Sequence, residues 1–125
     1  MTVYAETDFL LALTKDSDWL KPNAEAALEE YDIRTSMLSY VEFLLIADRF
    51  SFDTMRAVAN LLELVPVESE QDKQIILKAT KYRDGGMTTF DSFHAATANS
   101  WEYPLLGSDQ AYKEIDVERI PLEPE

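Results

Sequence analysis

Cysteine is absent from the chain, which excludes disulfides, thiolate metal sites and cysteine nucleophiles. Glycine occurs only three times. There is no low-complexity segment, internal repeat or Gly/Ser linker, and Gly85-Gly86 reads as a helix end followed by a loop. No apolar run approaches the ~20 residues needed to span a bilayer. The opening Met1-Thr2-Val3-Tyr4 lacks the basic region and apolar stretch of a signal peptide, so the expected location is the cytoplasm. Basic residues are scarce: 11 against 24 acidic ones, for a net charge of −13. Taken alone, that balance argues against nucleic-acid binding, which needs a basic footprint. An acidic interaction surface and adaptation to a salty cytoplasm, where screening weakens repulsion, both account for it. The spread of acids along the whole chain favours adaptation.

What is present suits one domain covering residues 1–125. The length is that of an ordinary domain, and 46% hydrophobic residues supply a core. Helical and extended patterns alternate. Strands are expected at 2–6, 33–35, 64–67, 104–106 and 117–122, with Pro66 marking an edge position. Helices are expected at 9–13, 22–31, 37–50, 52–62 (Asp53 as cap), 70–83 and 89–101, with a helical turn at 109–114. Such alternation implies parallel pairing and a three-layer α/β/α sandwich around a central, mainly parallel sheet of about five short strands. In such a sheet the reactive site lies beyond the strand carboxyl ends.

Most acids sit in polar stretches and read as solvated. Glu6, Asp8, Glu42, Asp91 and Asp109 differ, because their neighbours are apolar or they follow a strand directly. Carboxylates in apolar surroundings are costly unless paired, capped or bound to metal, and perturbed acids cluster at functional sites. Each has a plainer explanation. Ser39-x-x-Glu42 and Thr88-x-x-Asp91 have capping-box spacing, and Asp8 or Asp109 can favour a helix N-terminus through its dipole. Their joint placement says more. Glu6, Asp8 and Asp109 fall at strand ends, and Glu42 and Asp91 are expected in the first turns of helices packed on the sheet, so four dispersed segments would bring acids to one edge. Several carboxylates with one histidine and no cysteine form an oxygen-only site, which suits Mg²⁺ or Mn²⁺ rather than zinc. Such a site can activate water and stabilise charge on a phosphodiester. Without metal the acids repel, and some should have raised pKa values.

The motifs follow a familiar order. Glu6-Thr7-Asp8 runs into Phe9-Leu10-Leu11-Ala12-Leu13; Ser39-x-x-Glu42 follows; then Asp91-Ser92-Phe93-His94-Ala95-Ala96-Thr97-Ala98; then Leu105-Leu106-Gly107-Ser108-Asp109. Over nearly its whole length the chain resembles the PIN-domain family, and within it the VapC-type toxin ribonucleases. The resemblance implies a metal-dependent ribonuclease and a Mg²⁺ or Mn²⁺ cofactor. It assigns metal binding and catalysis to Glu6, Asp8, Glu42, Asp91 and Asp109, with Thr7 and Ser108 supporting them through their hydroxyls. It also implies a small antitoxin partner and a homodimer. One residue departs from the pattern: the family's leading aspartate is Glu6 here, one methylene longer.

Around these motifs, His94 is read as packed and hydrogen-bonded inside the fold, with an acid or RNA-contact role as the alternative. Phe90, Phe93 and Trp101 are read as core, with Trp101 partly exposed. Lys73, Lys78, Lys81 and Arg83 form a basic cluster that either contacts RNA, through Lys78, Lys81 and Arg83 above all, or is an ordinary solvated helix face. Two rivals to the ribonuclease are a non-catalytic PIN-like binding module, favoured by Glu6, and a phosphoacceptor receiver domain. The receiver lacks its expected acceptor aspartate at Val67-Glu68-Ser69 and its lysine between Leu106 and Asp109.

Overall fold

The structure is a computed structural model that describes residues 1–15, 18–107, 112 and 115–121. Strand β1 (Thr2–Tyr4) leads into α1 (Thr7–Thr14) and α2 (Lys21–Glu30). Strand β2 (Asp32–Arg34) leads into α3 (Met37–Ile46), which ends in a 3₁₀ turn at Ala47–Arg49. Helices α4 (Thr54–Leu64), α5 (Glu70–Asp84) and α6 (Thr89–Trp101) follow, then strands β3 (Leu105–Gly107) and β4 (Arg119–Pro121). The class is mixed α/β with parallel pairing, as the alternating pattern implies, but helices dominate.

Among the described residues the expected five-strand sheet is replaced by two separate ribbons. β1 pairs with β2, Val3 opposite Ile33, and β3 pairs with β4, Leu106 opposite Ile120. The segment predicted as a strand at 64–67 explains part of the difference. Leu64 closes α4 instead, and Pro66 gives its carbonyl to the Thr35 N–H at 3.0 Å. Proline has no N–H to return, so the ladder stops at one bond. Nor is the first ribbon enclosed on both sides. Successive strand residues face opposite ways: Val3 and Ile33 turn inward, while Thr2, Tyr4 and Asp32 are exposed and Arg34 half-exposed on the other face.

The main core therefore lies mostly among helices. Leu10 of α1, Tyr40, Phe43 and Leu44 of α3, Val58 of α4 and Ile76 of α5 are fully buried, together with Val65. Tyr40 satisfies its phenol by donating to the Val65 carbonyl at 2.9 Å, and burial raises its pKa. Phe43, Phe52 and Phe50 stack in series at 5.7 and 6.2 Å, with the Lys15 ammonium 4.8 Å above the last ring. A smaller core forms where Ala95 of α6 meets Tyr112 and Val117.

Local chemistry fixes the helix ends. Asp53, Ser69 and Thr88 accept from the N–H groups of Arg56, Asp72 and Asp91, satisfying donors that the first turn leaves free. Helix α5 closes at Gly85, and Gly86 continues at φ +114°, a conformation glycine adopts without steric cost. Among the described residues no helix is long and apolar enough to cross a membrane.

Candidate functional site

The carboxyl ends of β1 and β2 lie side by side because the strands are parallel, and each hands over to a helix within three residues. Hydroxyl groups lock this edge. The Thr35 Oγ1 hydroxyl donates to the Ala5 carbonyl at 2.7 Å and lies 2.8 Å from Ser39 Oγ, which is itself 3.2 Å from that carbonyl. The Ala5 N–H donates to the Arg34 carbonyl at 2.9 Å. Thr7 Oγ1 reaches the Ser39 carbonyl at 3.4 Å. Thr35 and Ser39 are buried, so these bonds form away from competing water.

The lock sets the positions of three of the expected acids. Glu6 occupies the N-cap position of α1 and Asp8 its first turn; both are exposed, and Glu6 makes no side-chain capping bond. The Glu6 carboxyl is held above its usual pKa, first by a hydrogen bond with Asp8, then by the Asp8 charge, slight desolvation and the charge of Glu42. Like charge from Asp8, and least from Glu42 on α3, thus acts on Glu6.

Glu42 is the sixth residue of α3, not a first-turn residue, and it is exposed between the exposed Leu38 and Leu45. Its apolar sequence neighbours lie on the solvent side with it, because residues four and seven apart share a helix face. The capping-box reading of Ser39-x-x-Glu42 fails: α3 starts at Met37 with Ser36 as its N-cap, and Ser39 is buried in the hydroxyl lock.

Asp91 stands apart. Its N–H is capped by Thr88 at 3.2 Å, and its half-buried carboxylate accepts from the Tyr112 hydroxyl at 3.1 Å. Helix α6 packs against α3, but Asp91 is not among the charges acting on Glu6. Beside it, the Ser92 hydroxyl is buried and finds no hydrogen-bond partner among the described residues. Ser108 and Asp109 lie outside the described residues. Among the described residues, no three histidine, aspartate or glutamate side chains are grouped closely enough to hold one metal ion.

The remaining expectations divide. His94 is exposed rather than packed inside, and it shares the outer face of α6 with Phe90 and Trp101, which are 58% and 52% exposed; of the three aromatics only Phe93 is core. Positions 90, 94 and 101 fall on one side of a helix whose other side, at 92, 93, 95 and 96, is buried. In the basic cluster, Arg83 pairs with Asp48 at 2.6 Å and ties α5 to the 3₁₀ turn. Lys78 donates to Asn99. Lys78 and Lys81 add to the lowering of the Asp116 pKa, whose main cause is a 2.5 Å bond from the Tyr82 hydroxyl.

Residues missed by the sequence reading include Thr35, Tyr112 and Tyr4, whose hydroxyl sits 2.8 Å from Ser36 Oγ. Ser36 and then Ser39 hold the Tyr4 phenol below its usual pKa. The alternation of β1 carried a signal for Tyr4, since it places that residue on the face away from Val3. No family model, curated protein or solved structure matches the chain.

Proposed function

We propose that the chain is a PIN-type, metal-dependent endoribonuclease that hydrolyses RNA phosphodiester bonds, acting as the toxin of a toxin–antitoxin pair. One observation supports the reading: Asp8, beside Glu6 at the β1–α1 junction, and to the smallest degree Glu42 of α3, raise the Glu6 pKa. An anionic cluster with no cation among the causes of that shift is the electrostatic condition that a divalent ion relieves. Its donors are all carboxylate oxygens, the set that suits Mg²⁺ or Mn²⁺. The residues present thus fit the ion in chemistry. By the family resemblance Glu6, Asp8, Glu42, Asp91 and Asp109 are the carboxylates that would hold it, although among the described residues no three of them are grouped closely enough here to take one ion.

When bound, the ion supplies positive charge that offsets the charge developing on the phosphodiester. The chain's own groups orient and position. Thr35 and Ser39 fix the strand ends, Thr7 ties α1 to α3, and Tyr112 holds one Asp91 oxygen. An ionised carboxylate at this edge accepts the proton of the attacking water. The small antitoxin, the homodimer and the cytoplasmic setting belong to the same proposal.

The test is cleavage of RNA that requires Mg²⁺ or Mn²⁺ and is lost in Asp91→Asn. Millimolar Mn²⁺ should also raise the melting temperature, since binding to the native state stabilises it. A second reading, a PIN-like module that binds without cleaving, draws support from Glu6 standing where the family has aspartate. It expects RNA binding with no metal-dependent cleavage, and Glu6→Asp then separates the two by restoring turnover.

A further inference from the structure

The outer face of the β1–β2 ribbon is uncovered among the described residues, and two of its side chains occupy opposed register positions. Tyr4 lies opposite Arg34 in the register, on the face away from Val3 and Ile33. Tyr4 is 62% exposed, and the Arg34 guanidinium, 44% exposed, touches Asp32 at 3.6 Å. An exposed tyrosine on so short a ribbon would ordinarily swing freely. Here its hydroxyl is tethered to Ser36 Oγ at 2.8 Å and Ser39 Oγ at 3.4 Å. Ser36 is the N-cap of α3, a position where serine usually turns its hydroxyl onto the helix's own N–H groups. It makes no such bond and holds the phenol instead. A flat ring is thereby fixed at the strand's carboxyl end, two residues before Glu6, and Arg34 occupies the register position opposite it with its guanidinium turned toward Asp32.

We infer that Tyr4 and Arg34 form the landing face for single-stranded RNA: one unpaired base stacks on the Tyr4 ring while Arg34 takes an adjoining phosphate, leading the strand over the ribbon edge toward Glu6 and Asp8. The choice of RNA as occupant rests on the ribonuclease reading. The preference for an unpaired strand rests on chemistry, since a ring can stack only on a base that is not already stacked in a duplex. A chain of net charge −13 has little basic surface for a general phosphate grip, and Arg83 is already paired with Asp48. Stacking on an aromatic face supplies affinity that needs no extended phosphate grip.

Fluorescence anisotropy of the full chain with a short labelled single-stranded RNA tests this, with calcium as the divalent ion and with an abasic ribose-phosphate strand of equal length as control. On RNA, Tyr4→Ala weakens binding roughly tenfold, the scale of one lost base–aromatic stack. Tyr4→Leu, which keeps bulk without the ring, does the same, while Tyr4→Trp stays within about threefold of the parent. On the abasic strand the Tyr4→Ala loss disappears. Arg34→Gln weakens both strands and lowers the salt slope by about one. Parental affinity in Tyr4→Ala and Tyr4→Leu, an equal loss on the abasic strand, or no RNA binding by the parent would overturn the inference. Tyr4-dependent binding without metal-dependent cleavage sustains this inference and removes the nuclease proposal. Cleavage with Tyr4-independent binding does the reverse.

Discussion

Each of the two parallel ribbons pairs three residues with three, yet they are anchored very differently. β1–β2 sends Val3 and Ile33 into the main core and is closed at its carboxyl ends by Thr35 and Ser39. β3–β4 leans on the small cluster of Ala95, Tyr112 and Val117, and leaves Leu106 and Ile120 65% and 46% exposed. The acids inherit this contrast. Glu6 and Asp8 stand on a junction fixed by buried hydroxyls, whereas the Asp91 carboxylate accepts from a phenol of the smaller core. Helix α6 joins the two regions, with Ala96 in one core and Ala95 in the other.

The largest expected effect comes from emptying the main core. Phe43→Ala should lower stability by about 3–5 kcal/mol in urea unfolding, against about 1–2 kcal/mol for Val117→Ala on methylene counting. Equal losses would dissolve the contrast between the two regions. Next comes the lock: Thr35→Val keeps the shape but takes a donor from the buried Ala5 carbonyl, costing about 1–3 kcal/mol. Tyr112→Phe should cost about 1–2 kcal/mol through its lost bond to Asp91. A double-mutant cycle with Asp91→Asn should show coupling, and strict additivity would mean that the bond contributes nothing.

The smallest effect is electrostatic. The Glu6 pKa is raised in the fold, so the native state holds this proton more tightly than the unfolded chain does. The contribution of Glu6 to stability is then fully present below the ordinary glutamate value of 4.5 and is lost as pH rises through the raised value. In metal-free protein Glu6→Gln should flatten that fall and slightly raise the melting temperature at neutral pH. A steeper fall in the variant would contradict the repulsion at this edge.

Much of the helical frame could be read from the residues. α6 begins at Thr89 and ends at Trp101 as the pattern predicts, and Asp53 and Gly85-Gly86 mark helix ends as expected. The five-strand sheet could not be read reliably, because runs as short as 64–67 are apolar enough for either a strand or a helix end, and only the placement of Pro66 against Thr35 decides between them. At the site, the motifs named Glu6, Asp8, Glu42, Asp91 and Asp109 together; the charges acting on Glu6 are those of Asp8 and Glu42, and Asp109 lies outside the described residues. The hydroxyl lock was hidden, because Ser39 at capping spacing from Glu42 looks the same in sequence whether it caps or packs. Tyr112 was hidden too, since its partner lies 21 residues away. His94 was misplaced because periodicity fixes which residues share a face, but not which face meets the core.

The single bond from Thr35 to the Pro66 carbonyl bears on how molecules of this protein meet in solution. A ribbon as short as β1–β2 offers unsatisfied backbone groups along its borders, and such borders invite strands from other molecules. On the β2 side the approach is occupied by a residue that cannot extend the hydrogen-bond ladder. Pro66 thus guards that border against the edge-to-edge joining through which β-proteins aggregate.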